Sequence, residues 1–350
     1  MKKRNKKIIA ALSAIFGLLV IGALCWSFVL CYRTLHPPRL TDLSWLTRQY
    51  PHTTEWLPSI RSNGLLHDIV RLNADGERLH ARWLWAPEPT EKTAVLFHGY
   101  QGSAETMLMI GYLFNHDFGF NVLIPDLRGH GQSEPSAISM GWTERTEVVD
   151  WIRTADSLFG GNTQIVLYGV SMGAATTMIA AAEESLPACV RCAVEDCGYT
   201  STRDIFADSW EKQCRLPLFP LFHLSDLWCR ILYGWSFAKA SPLDAVHRCR
   251  LPMLFIHGDK DSVVPVEMVH RLYEAKIGDK ELWILSGVDH GAAYLRRYMR
   301  SASAHSWSTG SNAPPSLNNE MTMKKLLFLL FCTGLGLPVA GQHLSVSGRG

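Results

Sequence analysis

The chain has 350 residues, with 34 Lys and Arg against 32 Asp and Glu, for a formal charge of +2. That balance supplies no basic field for nucleic acid and excludes such a partner. Hydrophobic residues make up 47% and charged ones 19%, which rules out disorder as the main state and implies apolar length outside a water-facing fold. One large domain with appendages fits better than two domains of equal size.

In chain order, the first element is an apolar run. Ile8 to Tyr32 contains no charged side chain, and Lys2, Lys3, Arg4, Lys6 and Lys7 stand immediately before it. The run is long enough to cross a bilayer. Bulky Trp26, Phe28, Leu30 and Tyr32 continue past any small-residue cleavage site, so residues 1–33 are expected to be a basic tip and an uncleaved signal anchor. Only Arg33 and Arg39 follow closely, so the positive-inside rule places the N-terminus in the cytoplasm and the bulk outside. A buried core helix is the alternative. Residues 34–64 read as a connecting segment.

From residue 65 to 300, short apolar runs alternate with helical patterns, the signature of a mostly parallel twisted sheet flanked by helices. Residues 67–73 and 79–85, separated by Ala74-Asp75-Gly76, predict an opening hairpin. Further strands are predicted over 93–97, 121–125, 164–168, 191–194, 252–256 and 281–285, each nearly continuously apolar, as expected where helices cover both faces. Helices are predicted near 104–115, 142–158, 172–183, 266–275 and 290–299. Residues 201–247 are rich in Pro, Trp and Phe and break the alternation, so they read as an inserted helical cap.

After Arg300 the composition turns polar and breaker-rich, and 301–322 reads as a linker. Residues 323–341 have a basic start, a short apolar run and a small-residue end, the anatomy of a secretory signal peptide. The expectation is that 323–350 is the beginning of a neighbouring secreted protein joined by a reading-frame event, with a second membrane segment as the rival. Of nine cysteines, Cys25 and Cys31 lie in the anchor and Cys332 in this tail. Cys189 and Cys192 form an isolated C-x-x-C without a second pair at zinc spacing, which argues against metal. Cys214, Cys229 and Cys249 are available for a disulfide in an oxidising compartment, or pack as small buried hydrophobes.

The chemistry centres on Gly169-Val170-Ser171-Met172-Gly173, which follows the strand at 164–168 and opens a helix of small residues. This is G-x-S-x-G in the strand, turn and helix context it requires, presenting Ser171 as a nucleophile. A serine hydroxyl needs a base to take its proton and a carboxylate to orient that base. Asp261 follows the strand at 252–256, and His290 follows the strand at 281–285, giving the order Ser, Asp, His that this architecture demands. Asp196, also at a strand end, is the alternative acid. The oxyanion of an attacked carbonyl needs two amide donors, expected from the backbone of Met172 and of Tyr100, in the loop after the strand at 93–97. Asp259 reads as a turn-shaping residue, while His98, His130 and His257 read as structural hydrogen-bonders.

With His98-Gly99-Tyr100, Asp126-Leu-Arg-Gly-His-Gly-Gln-Ser133, Gly169-Val-Ser-Met-Gly173, Glu195-Asp-Cys-Gly-Tyr199, His257-Gly-Asp-Lys-Asp261 and Asp289-His290-Gly291 in view, the chain resembles the α/β-hydrolase superfamily. It is similar to membrane-anchored cell-surface hydrolases of bacteria in the serine-aminopeptidase-like group. The resemblance covers about 65–300 and implies Ser171 as nucleophile, Asp261 as orienting acid, His290 as base, and Tyr100 and Met172 as the oxyanion hole. It implies a serine hydrolase acting on an ester, thioester or amide, with a small acyl or peptide substrate and no cofactor or metal. A single-pass place in the bacterial cytoplasmic membrane, with the catalytic domain on the periplasmic or extracellular side, completes the expectation. A serine aminopeptidase and a non-catalytic binding protein of the same fold are the alternatives.

Overall fold

A computed structural model describes residues 2–40, 45–215 and 217–295. The linker and signal-peptide-like tail expected after residue 300 lie outside the described residues, as does Cys332. An eight-stranded sheet forms the centre, in the order β1-β2-β4-β3-β5-β6-β7-β8. Its strands are β1 (His67–Leu72), β2 (Arg78–Leu84), β3 (Lys92–Phe97), β4 (Asn121–Pro125), β5 (Gln164–Val170), β6 (Val190–Asp196), β7 (Met253–Gly258) and β8 (Lys280–Leu285). The hairpin β1-β2 joins β4 antiparallel, and all later pairings are parallel.

The helices are α1 (Lys2–Leu35), α2 (Trp45–Gln49), α3 (Trp56–Ser62), α4 (Leu108–Tyr112), α5 (Glu144–Leu158), α6 (Met172–Ala180), α7 (Thr202–Cys214), α8 (Leu221–Tyr233), α9 (Pro242–Val246) and α10 (Val266–Ala275). Side chains alternate across each strand, so Val95 and Phe97 enter one core layer while Ala94 and Leu96 enter the other. The first layer takes Val148, Trp151 and Ile152 of α5 and Val269 and Leu272 of α10; the second takes Leu108 and Ile110 of α4. Every residue of α6 is buried, and its alanines let it lie close under the sheet. Each fully buried large aliphatic side chain contributes about 1.5–3 kcal/mol, so the central strands hold the site on a rigid base.

Several expectations meet differences. Residues 45–62 do not merely connect: Leu46, Tyr50, Leu57 and Ile60 are buried in the second core layer. The helix expected over 104–115 is only α4 followed by a wider turn at Leu113–Asp117. A turn closed by Ser103 and Thr106, whose side chains and backbones bond each other, occupies its first residues. The helix expected from His290 does not start there, because Gly291 takes φ +63° and reverses the chain; residues beyond 295 lie outside the described set. The cap region is helical as expected, with α7, α8 and α9. Cys229 and Cys249 are buried free thiols rather than disulfide partners, and the Cys214 side chain lies outside the described set.

α1 contains a segment of mean hydropathy 2.7 and is the one helix among the described residues that is long and apolar enough to be a candidate membrane span. Its C-terminal end is not free: Cys31 and Leu35 are buried in the first core layer, and the Leu35 carbonyl accepts the Ile138 N–H.

Candidate active site

Ser171 stands between β5 and α6 with φ +56° and ψ −116°, a conformation a side chain adopts only under strain. The surrounding glycines explain why the turn can close. A Cβ on Gly169 would fall 2.2 Å from the Gly173 carbonyl oxygen, and one on Gly173 would fall 2.2 Å from that of Phe97. The Ser171 N–H donates to the Asp196 carbonyl at 2.8 Å, which ties the elbow to the end of β6.

Asp261 and His290 come to Ser171 from the loops after β7 and β8. His290 Nε2 lies 3.0 Å from Ser171 Oγ, and His290 Nδ1 lies 2.7 Å from Asp261 Oδ2. The other Asp261 oxygen accepts the N–H groups of Val263 and Val264 at 2.9 and 2.7 Å, and the side chain is fully covered. With Nδ1 donating to the carboxylate, Nε2 is left as the acceptor facing the hydroxyl. The three predicted side chains therefore meet in one continuous chain of hydrogen bonds.

The loop after β3 passes directly over the elbow. A Cβ on Gly99 would sit 3.3 Å from both Ser171 Cβ and the Val170 carbonyl oxygen, so the backbone entering Tyr100 lies against Ser171. Met172 opens α6 on the other side, where the helix dipole favours negative charge. Two buried histidines fix that loop. His98 Nε2 accepts the Leu127 N–H at 3.0 Å while its Nδ1 donates to the Gly99 carbonyl at 2.7 Å. Burial pushes its pKa down to about 3, so it is neutral. His130 Nε2 accepts the Gln101 N–H at 3.2 Å and its Nδ1 donates to the Arg128 carbonyl at 2.9 Å, with burial again lowering its pKa.

Asp196 sits beneath this centre but does not orient His290. Its carboxylate accepts the Tyr168 hydroxyl at 2.7 Å, and burial raises its pKa to about 6. Its neighbour Glu195 is raised to about 8, also by burial. His257 donates from Nε2 to the Val264 carbonyl at 3.0 Å and is kept neutral by burial.

Residues 94–300 match the profile of the alpha/beta hydrolase family. The chain belongs to that family. Among curated relatives, the uncharacterized protein YqkD of Bacillus subtilis (strain 168) is 30% identical over 60% of this chain and 68% of its own length. The alpha/beta hydrolase domain-containing protein WAV2 of Arabidopsis thaliana is 25% identical over 76% and 82%, and a Saccharomyces cerevisiae protein described as a membrane protein, YNL320W, is 26% identical over 61% and 69%. Among solved structures, the esterase Pf2001 of Pyrococcus furiosus superposes with a TM-score of 0.58 at 20% identity, covering 78% of this chain and 97% of that one. Est1E of Butyrivibrio proteoclasticus, solved with ferulic acid bound, gives 0.51 at 20% identity over 67% and 99%. These structural likenesses are ones of fold.

Within the alpha/beta hydrolase frame, some contacts had no counterpart in the sequence reading. Asp289 Oδ1 accepts the N–H and hydroxyl of Ser262, each at 2.9 Å, locking the Asp261 loop to the His290 loop. Asp259 does the same from the other side by accepting the Gly287 N–H, so it clamps two loops rather than shaping its own turn. Cys197 sulfur, a ring nitrogen of His290 and an Asp261 oxygen lie within 4.8 Å of one another. Burial holds the Cys197 thiol well above its usual range, which leaves it neutral packing under the His290–Asp261 pair. Only the strand-end position of Cys197 and the adjacency of Asp289 to His290 hinted at these roles.

Proposed function

We propose that this hydrolase works through an acyl-enzyme on Ser171. His290 Nε2 takes the Ser171 proton as Oγ attacks the carbonyl carbon of an ester, thioester or amide. The backbone N–H groups of Tyr100 and Met172 hold the oxyanion of the tetrahedral intermediate. Collapse breaks the bond to the leaving group, which departs with the proton from His290. Water then attacks the acyl carbon while His290 removes its proton, and the acid leaves with Ser171 restored. Asp261 keeps His290 in the tautomer that accepts at Nε2.

The observation that carries this reading is the 3.0 Å approach of His290 Nε2 to Ser171 Oγ, with Asp261 at 2.7 Å on the far nitrogen. The substrate is an acyl compound, in line with the apolar and aromatic composition of residues 201–247, and α1 anchors the enzyme in a membrane with its N-terminus cytoplasmic. Ser171→Ala in the full-length chain should abolish fluorophosphonate labelling and lower turnover of p-nitrophenyl esters by at least about a thousandfold. Unchanged labelling overturns the assignment. Aminoacyl amides cleaved faster than esters would make the enzyme a peptidase.

A further inference from the structure

Helix α8 runs beside the outer end of α1 and in the same direction. The Ser225 hydroxyl donates to the Ser27 carbonyl at 3.1 Å, and about two turns further along both helices the Tyr233 ring stands 6.0 Å from His36. The Trp228 side chain reaches back along α1: its indole N–H lies 3.2 Å from the Leu24 carbonyl and 3.1 Å from the Ser27 hydroxyl, and its ring meets Phe28 edge-on at 5.6 Å. The start of α8 is thus the end nearer the middle of α1.

This contact has a depth. Counting 1.5 Å per residue from Ile8, the first residue after the basic cluster, Leu24 and Ser27 stand roughly 24 and 29 Å along a hydrocarbon layer about 30 Å thick, and tilt only lowers them. α8 therefore meets α1 at the outer boundary of the apolar layer, with Phe219 at the turn before α8 lying deeper still. The outward face of α8 suits that place. Phe219 is 75% exposed, Ile231 62%, Leu227 47% and Leu232 45%. Leu227 and Ile231 are one helical turn apart, so they form a single apolar stripe, which by the same count stands roughly 32 to 38 Å along, just outside the hydrocarbon and level with the headgroups. Asp226 is drawn away from it, accepting the Phe237 N–H at 2.7 Å and pairing with Arg230.

The same helix end reaches the catalytic centre. The Tyr100 hydroxyl donates to the Thr34 carbonyl at 3.0 Å, so the loop over Ser171 is fastened to α1 about 10 Å beyond the level of Ser27.

We propose that α8 stands upright beside α1 at the outer membrane interface, its base at Phe219 in hydrocarbon and its apolar stripe among the headgroups and upper acyl chains, and that the lipid against it supplies the substrate, an acyl ester taken from the bilayer. The substrate half rests on the serine-hydrolase reading; the seating of α8 does not.

The test uses the full-length chain in palmitoyl-oleoyl phosphatidylcholine vesicles, with photoreactive benzoylphenylalanine placed at Phe219, Leu227 or Ile231, and as control at the exposed Lys92, which starts the central strand β3 at the end away from Ser171. Phospholipid adducts at the first three, severalfold above Lys92, are expected. Adducts to a second copy of the chain, or lipid adducts no higher than at Lys92, overturn the seating. Combining Leu227→Ser with Ile231→Ser should lower hydrolysis of a vesicle-borne long-chain acyl ester about tenfold while p-nitrophenyl acetate stays within about twofold. Equal loss on both esters overturns the substrate half. No turnover of either ester by the unsubstituted chain would sink the serine-hydrolase reading, and the lipid adducts would still decide where α8 sits.

Discussion

The carboxyl group of Asp196 and the hydroxyl of Tyr168 are joined by a 2.7 Å hydrogen bond, while Asp261 takes the same distance to His290. One acid ends β6 and the other follows the adjacent β7, both near one histidine, and only Asp261 holds its ring. Asp261→Asn should therefore lower kcat by about a thousandfold or more, since an amide stabilises neither the required tautomer nor the imidazolium. Asp196→Asn should cost less than about tenfold, because its amide can still accept from Tyr168. Steady-state kinetics on one ester compares them, and the reverse ranking would transfer the orienting role to Asp196.

Glu195 makes stability depend on pH in an unusual direction. Its folded pKa is raised by burial from 4.5 to about 8, so between those values the native state keeps a proton the unfolded chain has released. Stability from this residue is undiminished below pH 4.5, falls as pH rises, and levels off above about 8. Asp196, raised from 3.8 to about 6, acts in the same sense over a lower window. Glu195→Gln should flatten the decline in thermal midpoint between pH 5 and 8, an effect on the order of 3 kcal/mol at pH 7. A wild-type midpoint that rises across that window would contradict the account.

Gly173→Ala tests the elbow. The added methyl would meet backbone oxygens of Phe97 and His98 at 2.2 and 2.6 Å, and neither can step aside without moving β3. Loss of at least about 3 kcal/mol is expected, read as a lowered unfolding midpoint together with loss of fluorophosphonate labelling. An alanine variant of normal stability and labelling would show that α6 does not press on β3.

The sheet was legible because each central strand is buried on both faces and so reads as an unbroken apolar run. Asn121–Pro125 and Val266–Ala275 have the bounds expected of them for this reason, or from a clear amphipathic period. The site was legible because G-x-S-x-G, Asp261 and His290 each follow a strand in a fixed order. What was hidden depends on contacts between distant segments. Nothing local in Ser27 or Trp228 announces that they meet across about two hundred residues, nor that Tyr50 and Ile60 fill a core layer. Asp289 next to His290 looked like a motif letter, and only the folded loops show it gripping Ser262.

Because Leu35 and Cys31 are sunk in the core and Trp228 leans on Leu24, α1 is also part of the domain's wall. A soluble version trimmed to begin after His36 would carry an open, oily trough where that wall stood. Such a fragment is expected to self-associate in detergent-free buffer, and a monodisperse monomer by light scattering would show the trough can heal itself.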